Sequence, residues 1–188
     1  MKQFFKENTL FKQRILPLSL TAFIILIDQI VKAIIVKIQP IHPGLIKDVF
    51  GNEFLWIYHV RNKAIAFSLG ENLPDFLKPI IFIIFPLLVL GFLMWYFFKS
   101  DDFTTLQRWA AAGIIGGGIG NLIDRIFRPD GVVDFISVKI YGLFGMQRWP
   151  TFNLADSSVV VCCIILLLTL FITMKKPKEV LKKDIQNE

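Results

Sequence analysis

Two aspartates in this chain have no neighbouring cation to answer them. Asp134 lies in GVVDFISV, between Val133 and Phe135, and Asp156 lies in TFNLADSSV at the head of an apolar run. Two carboxyls a few ångströms apart cannot both ionise, so one pKa rises and the pair shares a proton. Such a pair can deprotonate a water and protonate a peptide carbonyl or leaving amine, which is peptide hydrolysis without metal or covalent intermediate. Each residue also has a plainer reading. Asn153 is a natural N-cap with Asp156 three residues later, so Asp156 reads as a capping-box acid at a helix N-terminus. Asp134 alone reads as a hydrogen-bonding residue at a loop end.

Other machineries lack parts. His42 and His59 are loop residues without the HExxH spacing of a zinc site, and no GxSxG elbow occurs. Ser157 and Ser158 have no evident Lys or His base. No metal and no cofactor is expected. The remaining ionisable residues sit in apolar runs, where each costs roughly 2.5–3.5 kcal/mol on insertion scales and is a functional candidate by default. Asp28 and Lys32 are four apart, share a helix face and can pair, with Lys32 free to snorkel outward. That pair reads either as bundle packing or as a contact for substrate or a lipid headgroup. Asp28 lies about 12 Å below the outer end of its helix at ~1.5 Å per residue. Arg125 beside Asp124 should keep that carboxylate ionised, which makes Asp124 a scaffold element more than a proton shuttle.

The elements that must position these residues follow from composition. Of 188 residues, 54% are hydrophobic, with 19 Phe, and the mean hydropathy is +0.58. A soluble domain of this size cannot hide that much apolar surface, and the apolar residues come in long blocks, so lipid is the solvent. Four segments approach the ~20 residues that a membrane crossing needs: 15–36, 79–98, 107–126 and 155–174. The first is a retained helix, because it lacks a small-residue cleavage site and is interrupted by Asp28, Gln29 and Lys32. Lys and Arg are denser in the short segments 1–14, 99–108 and 175–188 than in 37–78 and 127–154, so the termini are expected to be cytoplasmic. The net charge of +6 follows from this flanking, and no basic stripe suits nucleic acid.

Residues 40–72 alternate apolar side chains with turn signals at Pro43-Gly44 and Gly51-Asn52, which predicts short strands in a small cap. Residues 127–154 are again rich in β-branched and aromatic types. The third helix carries Gly113, Gly116, Gly117 and Gly120 at small-xxx-small spacing, a face for close helix packing that could also leave room for an extended peptide. Adjacent Cys162 and Cys163 point about 100° apart on a helix and suit neither a disulfide nor a metal. The basic tail from residue 175 is expected to touch anionic lipid.

Five blocks, DQIVK at 28–32, NKAIAF at 62–67, GGGIGNLIDR at 116–125, VVDFI at 132–136 and FNLADSS at 152–158, resemble in order the signature blocks of bacterial lipoprotein signal peptidases (signal peptidase II). The resemblance runs from the first helix to the last. It implies an all-α membrane protein, a four-transmembrane-helix bundle with a small β-rich periplasmic cap and a periplasmic loop, forming one membrane domain over 1–188. It implies an intramembrane aspartic endopeptidase of the inner membrane, cutting diacylglyceryl-modified prolipoproteins on the N-terminal side of the lipidated cysteine. Carried over by position, Asp134 and Asp156 are the catalytic pair. Asn62, Asn121, Asp124, Arg125 and Asn153 shape the site and hold substrate, and Asp28 and Lys32 support it. The choice of Asp134 over Asp124 rests chiefly on the resemblance. Lipid-modified prolipoproteins and membrane phospholipid are the implied partners, with the protein acting as a monomer. Ala64 and Ile65 depart from the second block, where a glycine and a small residue are usual, and the stretch between Asp134 and Asp156 is long, which predicts a surface excursion around Trp149-Pro150.

Two other function classes compete. A small transporter would spread its ionisable groups through the membrane depth, whereas the inner halves of the second and fourth helices are almost bare of them. A non-enzymatic chaperone using the same groove would keep binding after both aspartates became asparagine.

Overall fold

The computed structural model describes residues 11–63 and 73–174. Ala64, Ile65, the rest of 64–72 and the basic tail lie outside the described residues. Four long helices fall on the expected runs: α1 Leu18–Ile38, α2 Phe85–Lys99, α3 Thr105–Phe127 and α4 Leu154–Met174. A wider, π-helical turn over Ile80–Ile84 leads into α2.

Three stretches, Gln13–Ile38, Ile80–Lys99 and Leu154–Thr173, are long and apolar enough to cross a membrane. Their outward faces carry large apolar side chains such as Leu88, Phe92, Leu167 and Phe171, all exposed, which in water would be aggregation surfaces and in lipid are the solvated surface. The third helix is built otherwise. Its inward residues are Ala110, Ala111, Ala112, Gly113, Gly116, Gly117 and Gly120, all buried, so it faces protein more than lipid and its composition is less apolar for that reason.

Thr104 opens α3 with a reciprocal cap: its Oγ1 accepts from the Gln107 amide at 3.3 Å, and its own amide donates to Gln107 Oε1 at 2.9 Å. The small residues then bring neighbours close. A methyl at Gly116 would lie 3.1 Å from the Thr21 backbone of α1, and one at Gly117 would run into the Ala155 carbonyl of α4. The glycine face is therefore filled by α1 and α4, and the room suggested for a substrate peptide along it does not exist. Two hydroxyls tie these contacts, Thr21 Oγ1 to Ala112 O at 2.7 Å and Ser158 Oγ to Gly113 O at 3.0 Å.

The two interhelical loops meet in one antiparallel sheet of order β1-β2-β3, with β1 Gly44–Asp48, β2 Leu55–Asn62 and β3 Val132–Val138. Pairing runs from Asn62↔Val132 to Leu55↔Val138, and β1 pairs with β2 from Gly44↔His59 to Asp48↔Trp56. Val133 and Phe135 bury their side chains against Ile35 of α1, with Val31, Val36, Ile46 and Ile57 around them. His59, expected in a loop, is a buried strand residue whose Nδ1 meets the Gln39 carbonyl at 2.5 Å.

Candidate active site

The site grows from a buried charge cluster. Asp28, Lys32 and Asp124 are each fully buried. Lys32 Nζ lies 2.7 Å from Asp28 Oδ2 and 3.0 Å from Asp124 Oδ2, and donates to Asn121 Oδ1 at 2.9 Å. A buried ion left unpaired costs several kcal/mol, so one lysine facing two carboxylates and an amide oxygen holds α1 against α3 only as a complete set. Lys32 therefore does not snorkel outward. The nonlocal partners from α3 fix it inside.

The two carboxylates also have spare lone pairs, and these reach backbone amides. Asp28 Oδ1 accepts from the Ala155 amide at 3.1 Å, at the positive N-terminal end of α4. Asp124 Oδ2 accepts from the Val133 amide at 3.1 Å. Ala155 immediately precedes Asp156, and Val133 immediately precedes Asp134. Each of the two remaining aspartates thus follows a residue whose amide is pinned by a carboxylate of the Lys32 cluster.

Asp134 and Asp156 meet at Asn153. The Asn153 side-chain amide donates to Asp134 Oδ1 at 2.7 Å, and its backbone amide donates to Asp156 Oδ2 at 3.0 Å. The Asn153 oxygen accepts from the Asp156 amide at 2.9 Å, which closes the capping box read from the sequence. Asn62 Nδ2 donates to Asp134 Oδ2 at 2.9 Å, and Asn121 Nδ2 to Asp156 Oδ1 at 2.6 Å. Asn121 in turn accepts from Asn153 at 3.0 Å, so three asparagines and Lys32 form one continuous lattice around the two carboxylates. Burial, and next the charge of Asp156, push the Asp134 carboxyl up to about 7, against the lowering effect of its two asparagine donors. At neutral pH the pair can therefore hold a proton, which is the state acid–base chemistry on a peptide bond requires.

Arg125 behaves differently from the sequence expectation. It does not serve as the counter-ion of Asp124, whose cations are Lys32 and, at 3.5 Å, Arg128. The Arg125 guanidinium donates to Phe82 O at 3.2 Å and lies over the Phe82 ring at 5.5 Å. With Asn62, Lys78, Arg128 and Gly131 it lines a cavity of about 380 Å³, linked to Asp134 through Asn62, which donates to that carboxylate. Gln29 and Arg128 were not among the candidates, yet both belong to the support. Gln29 donates to Asp124 Oδ1 and to Gly120 O, each at 3.0 Å, and Arg128 donates to the Gln29 oxygen at 3.3 Å. The available signal was Gln29 inside an apolar run, next to Asp28. Ser157 and Ser158 donate to helix carbonyls, Asn153 O at 2.9 Å and Gly113 O at 3.0 Å.

The family model described as signal peptidase (SPase) II matches residues 20–172. A lipoprotein signal peptidase of Treponema pallidum (strain Nichols) is 39% identical over 177 residues, covering 94% of this chain and 92% of the relative. One from Treponema denticola is 42% identical over 169 residues, covering 90% and 96%. A solved structure described as a bacterial membrane enzyme, obtained by the in meso method, superposes with a TM-score of 0.71 at 28% identity, covering 87% of this chain and 92% of that one. With apolar helices suited to lipid, an acidic pair set in an amide lattice and a match spanning nearly the whole sequence, this multi-pass membrane protein belongs to the signal peptidase II family of proteases.

Proposed function

We infer that the chain removes signal peptides from diacylglyceryl-modified prolipoproteins, cutting on the N-terminal side of the lipidated cysteine, with Asp134 and Asp156 as the catalytic pair. The observation that carries this reading is Asn153, which donates to both carboxylates at 2.7 and 3.0 Å. Asp156 is the charged member: two N–H donors and the N-terminus of α4 complement its charge, and it takes a proton from the attacking water. Asp134, protonated, donates to the scissile carbonyl as it becomes tetrahedral. The roles exchange when the amine leaves, and the pair titrates as one unit.

Asn62 and Arg125, which line that cavity, hold the extended backbone of the substrate. Asn121, Asn153, Asp124, Asp28 and Lys32 keep the two carboxylates in register. The single domain spans the inner membrane four times, α3 included, with both termini cytoplasmic and the sheet as a cap at the periplasmic face. It works as a monomer among phospholipids, and the substrate's acyl chains remain in the bilayer beside the bundle. The test is incubation of the purified protein with a lipid-modified precursor and its unmodified twin. Mass loss equal to the signal peptide in the first alone supports the reading, and cleavage of neither or of both equally overturns it.

A further inference from the structure

The end of the sheet farthest from the aspartates has no role in the chemistry above, yet its surface is unusual. There the chain after β3 forms a hairpin closed by the Lys139↔Arg148 bridge and by Ile140 N donating to Gln147 O at 2.9 Å. Its tip presents Tyr141, Leu143 and Phe144 at 67%, 57% and 75% exposure. Beside it the β1–β2 turn presents Phe50 at 62%. The charged groups at the base already have partners. Lys139 pairs with Glu53 at 2.6 Å, and Arg148 lies 3.7 Å from the Trp56 ring centroid while donating to Ser137 O. A folded loop whose ions are internal and whose tip is bare and apolar is a contact surface.

We propose that this tip is seated in the phospholipid interface of the leaflet on the active-site side, as an anchor separate from the four helices. The placement of the sheet on α1 supports lipid as the occupant. Phe135 of β3 packs on Ile35, whereas His59 of the next strand reaches the carbonyl of Gln39, one helical turn further out. Ile57 of β2 and Ile46 of β1 pack against the same cluster, so the whole sheet sits on the outer end of α1. From Phe135 to Lys139 the chain advances about 13 Å at ~3.3 Å per residue, more than the ~5–6 Å radius of a helix with its side chains. The hairpin thus projects beyond α1, on which the sheet packs and whose outward face stays open. That face is the lipid-exposed row Ile30, Ile34 and Ile38, continued by exposed Ile41 and Leu45. An aromatic and aliphatic tip flanked by Lys139 and Arg148 matches the interfacial belt of membrane proteins.

The test places a nitroxide at the tip. In a Cys162→Ala, Cys163→Ala background, Phe144→Cys is labelled and the protein is reconstituted in phosphatidylethanolamine–phosphatidylglycerol vesicles. Relaxation by oxygen, which concentrates in lipid, is compared with relaxation by a water-soluble nickel chelate. The reference is Asp101→Cys, at a side chain that is 85% exposed. The account predicts oxygen dominance at Phe144→Cys and nickel dominance at Asp101→Cys. Nickel dominance at both sites places the tip in water and overturns the proposal. Exclusion of both relaxants from Phe144→Cys means that protein covers the tip, and also overturns it. Tyr141→Cys carries the same readout if the first variant does not assemble.

Discussion

Two cations are buried near opposite ends of α3, and the fold answers them in different ways. Arg108 near the N-terminal end is 2% exposed and meets no carboxylate within ion-pair distance among the described residues. It donates to Phe97 O at 2.8 Å and Ser100 O at 2.7 Å, closing the C-terminal end of α2, with the Phe97 and Phe103 rings each 5.8 Å away. Lys32, against the other end, is answered by Asp28 and Asp124. Carbonyls and rings satisfy a guanidinium and offer little further. Carboxylates have spare lone pairs, and those of Asp28 and Asp124 reach the amides of Ala155 and Val133, one residue before Asp156 and Asp134. The lesson is that one burial problem was solved by helix capping and the other by a network that also aims reactive groups.

The sharpest division between the two ends should come from the reactive pair itself. Asp134→Asn and Asp156→Asn should each lower cleavage by about 10³-fold, within the usual range for removing a positioned acid or base, while the melting temperature stays close to that of the parent. Lys32→Met comes next. It leaves two buried carboxylates facing each other, which should cost about 3–5 kcal/mol in detergent unfolding and abolish cleavage with it. Arg108→Met should lose about 2–3 kcal/mol, the scale of hydrogen bonds from a charged donor, yet keep kcat in the fraction that remains folded. A fall in kcat for Arg108→Met equal to that of Lys32→Met would erase the contrast.

Glycine substitutions make a finer cut. Gly117→Ala presses a methyl on the Ala155 carbonyl. It should cost about 1–3 kcal/mol as overpacking and depress cleavage, because Ala155 adjoins Asp156. Gly91→Ala on α2 meets nothing within 4 Å and should be neutral or stabilising by up to about 1 kcal/mol, with activity intact. A further expectation concerns the pH dependence of stability. Asp134 holds its proton up to about 7 in the folded protein, against an ordinary value of 3.8. Its contribution is therefore fully present below the unfolded value and is lost as pH rises through about 7. Asp134→Asn should remove that part of the slope.

Much of this was legible in the sequence where the cause is local. The helices fall on apolar runs because lipid selects them. The i, i+4 spacing of Asp28 and Lys32 gave their pairing, and Asn153 with Asp156 gave the capping box. What escaped is nonlocal. Lys32 seemed free to snorkel because Asp124, which holds it inside, arrives from a helix some ninety residues away. Arg125 was matched to adjacent Asp124, but neighbours on a helix diverge by about 100°, so one turns to Lys32 and the other to Phe82. Residues 127–154 read as a loop rich in β-branched and aromatic types, but Val132–Val138 is a strand that joins the cap by pairing with β2, a nonlocal contact that the sequence does not announce. The glycine spacing announced close packing without saying that α1 and α4 would take the whole face.

The central claim is that Asp134 and Asp156 hold one proton between them. Infrared detection of protonated carboxyl groups in the purified protein, titrated across neutral pH, measures this directly. A single protonated carboxyl is predicted below about 7, disappearing as pH rises through that value and missing from Asp134→Asn. A spectrum with no protonated carboxyl at mildly acid pH, or with one that persists unchanged in both Asp134→Asn and Asp156→Asn, would contradict the account.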